Sequence, residues 1–126
     1  MGMFDHVQIK VSSLRESRKF YEAIFRALEY KIVFEIEGVV VGFGDSVHDM
    51  FEIRQANDAA PISKAVHIAF TTRSEQSVLN FHSKALENGG KDNGAPGFRP
   101  EYEEGYFAAF VLDPDGHNLE AVFPKA

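Results

Sequence analysis

The chain repeats itself once. His67-Ile68-Ala69-Phe70 falls on His6-Val7-Gln8-Ile9 at an offset of 61 residues, and the same offset lays Phe81 on Phe20. A polar helix start separates each His from its Phe. The halves also close alike, on Phe51-Glu52-Ile53 and on Leu119-Glu120-Ala121-Val122. Self-similarity of this kind is the mark of repeated supersecondary units, so two like modules are expected.

Each module reads as strand, helix, then further strands. From Phe4 to Val11, apolar Val7, Ile9 and Val11 alternate with His6, Gln8 and Lys10, the period of a strand with one face on a core. Ser13 with Glu16 three residues on is a capping box, and Phe20, Tyr21, Ile24, Phe25 and Leu28 form the apolar face of a helix over 13–27. Strands follow at Lys31–Ile36, Val39–Phe43 and His48–Arg54, with Glu37-Gly38 and Gly44-Asp45 as turns. Gln55–Ser63, with Asn57-Asp58 and Pro61, reads as a loop. The pattern then restarts with a strand at 64–72 and a helix at 74–88 that ends on Gly89-Gly90. Lys91–Glu104 is polar and rich in Gly and Pro and reads as a long loop, with a short strand within it as the alternative; 91–105 is expected to act as a lid. Strands at Tyr106–Leu112 and His117–Phe123 flank the turn Asp113-Pro114-Asp115-Gly116. One domain over 1–126 is expected, with a first module at 1–56, a linker at 57–61 and a second module at 62–126.

Composition narrows the function. The chain has no cysteine, which excludes a disulfide scaffold, a thiolate metal site and a Cys nucleophile. Its net charge of −6 opposes a polyanionic partner, so no nucleic acid is expected. No run approaches a membrane-spanning length and the N-terminus lacks a signal-peptide pattern, so no membrane partner and a cytoplasmic location are expected. Gly-rich phosphate loops, G-x-S-x-G and H-E-x-x-H are absent.

Asp5-His6-Val7, Ser13-Leu14 through Phe20-Tyr21, His67-Ile68-Ala69-Phe70 and above all Asp113-Pro114-Asp115-Gly116-His117-Asn118-Leu119-Glu120 resemble the vicinal oxygen chelate superfamily. That superfamily includes glyoxalases, bleomycin-resistance proteins, fosfomycin-resistance transferases and extradiol dioxygenases. The stretch Asp92–Pro100 looks like that of a bacterial glyoxalase-like subgroup. The resemblance covers essentially the whole chain. It implies an α+β fold of two tandem βαβββ modules forming an incomplete barrel around a cleft, with the helices on the outer sheet faces, and it implies a homodimer.

Carried over residue by residue, the resemblance makes His6, His67 and Glu120 ligands of a divalent metal ion, whether Zn, Ni, Co, Mn or Fe. Imidazole and carboxylate donors suit such ions, and three protein ligands leave room for a substrate. The three side chains are expected to converge. Glu52, the symmetric partner of Glu120, is offered as a fourth ligand, and either glutamate as the catalytic base; for Glu52 the competing reading is an ion pair or solvent exposure beside Asp49 and Arg54. Arg99, Tyr102, Tyr106 and Gln8 are the candidate substrate-binding residues. Against that, Arg99 could pair with Glu101 or Glu103 while the tyrosines merely pack. His48, His82 and His117 read as structural or exposed.

The function implied is a lyase or isomerase of the lactoylglutathione lyase type, a metalloenzyme moving a proton on a small organic substrate with vicinal oxygens. A non-catalytic drug- or small-molecule-binding protein of the bleomycin-resistance type is the alternative, and an Fe(II) dioxygenase the third reading.

Overall fold

The computed structural model describes residues 2–124. The element order is β1 (His6–Val11), α1 (Leu14–Ala27), β2 (Lys31–Ile36), β3 (Val40–Ser46), β4 (Asp49–Gln55), β5 (His67–Thr71), α2 (Glu75–Glu87), β6 (Lys91–Phe98), β7 (Phe107–Leu112) and β8 (Asn118–Phe123). They make two four-stranded mixed sheets, β1-β4-β3-β2 and β5-β8-β7-β6. In each, the first strand pairs parallel with the last and the rest are antiparallel. This is the two-module α+β fold expected from the repeat, and no closed barrel forms.

α1 starts where the Ser13 capping signal predicted, and α2 starts at the expected position, capped by Ser74. The Ser13 hydroxyl accepts from the Glu16 amide at 3.2 Å and the Ser74 hydroxyl from Ser77 at 3.1 Å, each meeting one orphan donor of a first turn. α2 ends as Gly89 enters the left-handed region at φ 98° and the Gly90 amide returns to Ala85 O at 2.8 Å. At the corresponding end of α1 the left-handed residue is Glu29, at φ 67°.

One core serves both modules. Phe20, Tyr21, Ile24 and Phe25 of α1 and Val78, Phe81 and Ala85 of α2 join Ile9, Val11 and Ile53 of the first sheet and Val111, Leu119 and Ala121 of the second. Each helix packs on its own sheet, and α1 also lies against α2. Burial of each large side chain contributes about 1.5–3 kcal/mol. Phe25 touches both halves, with ring centroids 4.9 Å from Phe43 and 4.9 Å from Phe70.

Two local expectations are corrected. The stretch 91–98 is not mainly loop: the short strand left as the alternative is the eight-residue edge strand β6 on β7. Its register shifts between Asp92 and Gly94 and between Gly94 and Gly97. Those irregularities absorb Gly94, at φ 150°, and Pro96, so the chain keeps pairing where composition argued against it. Gly44-Asp45 is likewise not the turn. β3 runs on to Ser46, and Gly44 sits so close to β4 that a Cβ would lie 2.1 Å from Asp49 O.

No helix among the described residues is long and apolar enough to cross a membrane.

Candidate metal centre

The sequence repeat becomes an equivalence of register. β1 sets His6 opposite Met50 and Gln8 opposite Glu52 on β4; β5 sets His67 opposite Asn118 and Ala69 opposite Glu120 on β8. In each sheet the imidazole and the carboxylate therefore share one face, a single pleat repeat apart. Val7, Ile9, Phe51 and Ile53 take the other face, against the core.

The second half is the more assembled. Glu120 is 3% exposed, with Oε1 3.0 Å from Nε2 of His67. Its Oε2 accepts the Tyr106 hydroxyl. Phe110 stands opposite Glu120 on β7 and, with Ala108, Val122 and Tyr106, forms a small apolar cluster on this face. Burial first, and the bond to Glu120 second, push the Tyr106 hydroxyl up to about 12, so it remains a donor at neutral pH. Tyr102 is exposed, its ring edge-on to Tyr106 at 5.4 Å. Arg99 donates to Gly97 O at 2.8 Å and to Ala95 O at 2.7 Å, and its guanidinium lies 5.4 Å from the Phe110 ring centroid. The pairing with Glu101 or Glu103 does not form.

In the first half Glu52 is 6% exposed, its Oε1 accepting from Gln8 Nε2 at 2.9 Å. Lys10 Nζ donates to the Gln8 side-chain oxygen at 2.6 Å, which orients that amide toward the carboxylate. Glu52 is thus neither exposed nor bridged to Arg54. Gly42, opposite Glu52, leaves the space that the Met50 sulfur and the Glu52 methylenes fill; a Cβ there would lie 2.8 Å from that sulfur.

His6 Nδ1 is 2.8 Å from Asp5, whose other oxygen is 2.8 Å from His48 Nδ1. The bond to Asp5 raises the His6 pKa, and the two imidazoles lower that of Asp5. A carboxylate on Nδ1 leaves Nε2 available to a ligand, the arrangement that orients metal-binding histidines.

The donor set, two imidazoles and two buried carboxylates, fits a borderline divalent ion. It comes in two halves. Among the described residues no three His, Asp or Glu side chains gather to hold a metal, so the convergence of His6, His67 and Glu120 expected of one chain is not formed. The packing gives the reason. The modules meet chiefly through α1 and α2, and no strand of one sheet pairs with a strand of the other. Sequence reading did not single out Asp5 as an orienting group, nor Phe110. Asp5 was legible as the neighbour of His6; Phe110 required the β7–β8 register.

A family model described as the Glyoxalase/Bleomycin resistance protein/Dioxygenase superfamily matches residues 3–121. Among solved structures, a glyoxalase/bleomycin resistance protein from Albidiferax ferrireducens is 26% identical over 98% of this chain and 100% of that one, with a TM-score of 0.83. A glyoxalase-related enzyme from Fulvimarina pelagi shares the fold at 18% identity and TM-score 0.73, over 98% of this chain and 89% of its own. A glyoxalase I mutant from Zea mays is 25% identical with a TM-score of 0.69; the match covers 94% of this chain and 44% of the maize chain. No curated protein matches. Two mixed sheets, each carrying an imidazole and a buried carboxylate on one face, define a two-module protein of the vicinal oxygen chelate type. The chain belongs to the Glyoxalase/Bleomycin resistance protein/Dioxygenase superfamily.

Proposed function

We propose that the protein is a glyoxalase-like metalloenzyme that moves a proton on a small organic substrate bearing two neighbouring oxygens. The observation that carries this is the equivalent strand register of the two sheets, which puts His6 and Glu52 on one face of the first and His67 and Glu120 on the same face of the second. A catalytic divalent ion needs at least three such donors with positions left open. Each half presents two, and one chain keeps them apart. The site is therefore completed in a homodimer, the first-module face of one protomer against the second-module face of its partner.

His6, His67 and Glu120 would hold the ion, with Glu52 as a fourth donor. A bound divalent ion would supply Lewis-acid polarisation of two adjacent substrate oxygens. The protein's own groups do the rest. Glu52 is desolvated and aimed by Gln8, which suits it to take a proton from carbon and return it to the neighbouring carbon. Tyr106 fixes the rotamer of Glu120. Phe110 and Tyr106 provide an apolar wall that excludes water.

Purified protein should carry a divalent metal at one ion per protomer and run as a dimer in light scattering. It should isomerise the hemithioacetal of methylglyoxal with a small thiol. His67→Ala should abolish both metal retention and turnover. A metal-free protein that binds an organic ligand without turnover would favour the bleomycin-resistance reading, and consumption of O₂ with a catechol the dioxygenase reading.

A further inference from the structure

Arg99 is held in place on the second sheet by its own segment. Two of its nitrogens donate to carbonyls of the irregular β6 segment, at 2.8 Å and 2.7 Å, and the guanidinium carbon lies over the Phe110 ring. The seat is cut to the guanidinium. A Cβ on Gly94 would stand 3.3 Å from one terminal nitrogen, and a Cβ on Gly97 3.3 Å from the other. These are tighter than ordinary van der Waals contacts, so glycine at both positions makes the space that the side chain fills.

That cation has no anion. Among the described residues no carboxylate lies within 4.0 Å of Arg99, although Glu101, Glu103 and Glu104 follow closely in a chain of net charge −6. Two of its five N–H groups are committed to carbonyls, and three remain. The same Phe110 ring lies 6.2 Å from the ring of His67 and stands opposite Glu120 in register. A pre-positioned planar fork, unpaired and beside an apolar wall, is built for a planar anion.

We propose that Arg99 is the carboxylate-binding residue of this face, and that the ligand is a small organic monocarboxylate whose body rests on Phe110 and Tyr106. A single cation with no second basic group in its cradle matches one negative charge, not a phosphate dianion. The inference deepens the metalloenzyme reading by naming the substrate's anionic end. It rests on that reading only for the role of the site, because the fork itself needs no metal.

The test uses full-length protein stripped with EDTA, titrated with benzoate, benzyl alcohol and inorganic phosphate by calorimetry and by NMR of arginine side chains. Benzoate should bind at least about tenfold more tightly than benzyl alcohol or phosphate, and Arg99→Gln should weaken it by about ten- to a hundredfold, as for loss of a charge-assisted hydrogen-bonded pair. Arg99→Lys should recover only part of that loss. In the wild type, the Arg99 Nε–H resonance, assigned through its side-chain connectivity and its proximity to the Phe110 ring, should move on saturation with benzoate. That reading stands even if a variant fails to fold. Equal binding of benzoate and benzyl alcohol, tighter binding of phosphate, an Arg99→Gln affinity equal to wild type, or a stationary Arg99 resonance would each overturn the proposal. Metal content and turnover are measured separately, so failure of the metalloenzyme reading shows itself independently.

Discussion

His117 shows how much a single side chain can hold. It lies in the turn that the sequence marked for a structural or exposed histidine, yet it is 2% exposed. Its Nδ1 is 2.7 Å from Asp113 Oδ2 and its Nε2 is 2.8 Å from Ser63 O. Both partners only accept, so both nitrogens must donate and the ring is an imidazolium. The bond to Asp113 raises its pKa against the opposing effect of burial, helped by the Ser63 carbonyl. Burial pushes the Asp113 carboxyl up, but bonds from His117 and Tyr21 more than reverse this and leave it below 3.8. The stability due to His117 is complete below its unfolded pKa of 6.5 and is lost as pH rises through the raised folded value. That due to Asp113 is complete above 3.8 and is lost as pH falls through its lowered value. Urea unfolding should therefore show a wild-type advantage over His117→Asn that is largest below pH 6.5 and shrinks on the alkaline side. An advantage independent of pH would contradict the imidazolium. On the candidate site, Tyr106→Phe leaves Oε2 of buried Glu120 without its donor. The expected cost is about 1–3 kcal/mol in the same measurement.

Among the elements, the two helix ends make a natural pair. Gly89 takes the left-handed turn after α2 without penalty, whereas Glu29 takes the same turn after α1 with a Cβ. Glu29→Gly should raise stability by up to about 1 kcal/mol, read as a higher urea midpoint at unchanged slope. Next to Gly89, Gly90 is fixed by proximity. A Cβ would lie 2.7 Å from the buried Phe20 ring and 2.9 Å from Ala85 O. Gly90→Ala should cost about 1–3 kcal/mol, because neither the ring nor the helix carbonyl has room to retreat. The edge strand β6 belongs to this scale too. Its irregular pairing with β7 holds 94–98 on the sheet, and that held segment, not a mobile lid, seats Arg99.

At the scale of the molecule, the two modules are tied from several sides. Phe25 and Phe51 of the first meet Phe70 of the second edge to face, and the Tyr21 hydroxyl reaches Asp113. Arg73 donates to Leu28 O at 3.3 Å and to Glu29 O at 3.1 Å, meeting carbonyls that the end of α1 leaves open. With one core across both halves, the modules should unfold together. Phe25→Ala should cost about 3–5 kcal/mol, and circular dichroism and tyrosine fluorescence should still report one coincident transition. Two resolved transitions would mean that the modules are separately stable.

The duplication, the helix starts at Ser13 and Ser74, and the strand faces carrying His6, His67, Glu52 and Glu120 were all legible in the sequence. Each depends on periods of two and 3.6 residues and on capping chemistry, which are local. The strand through 91–98 was legible only as an alternative to a loop, because an irregular edge strand is held by its neighbour β7 against its own propensities. The unpaired state of Arg99, the protonated His117 and the Gln8 amide on Glu52 were hidden, since each depends on a group brought in from another element. The same holds for the arrangement of the candidate site. Sequence placed an imidazole and a carboxylate in each module, but the distance between the pairs depends on which faces the modules bury against each other. The apolar faces of α1 and α2 meet each other and their own sheets in one core, so the two polar faces remain apart within a chain.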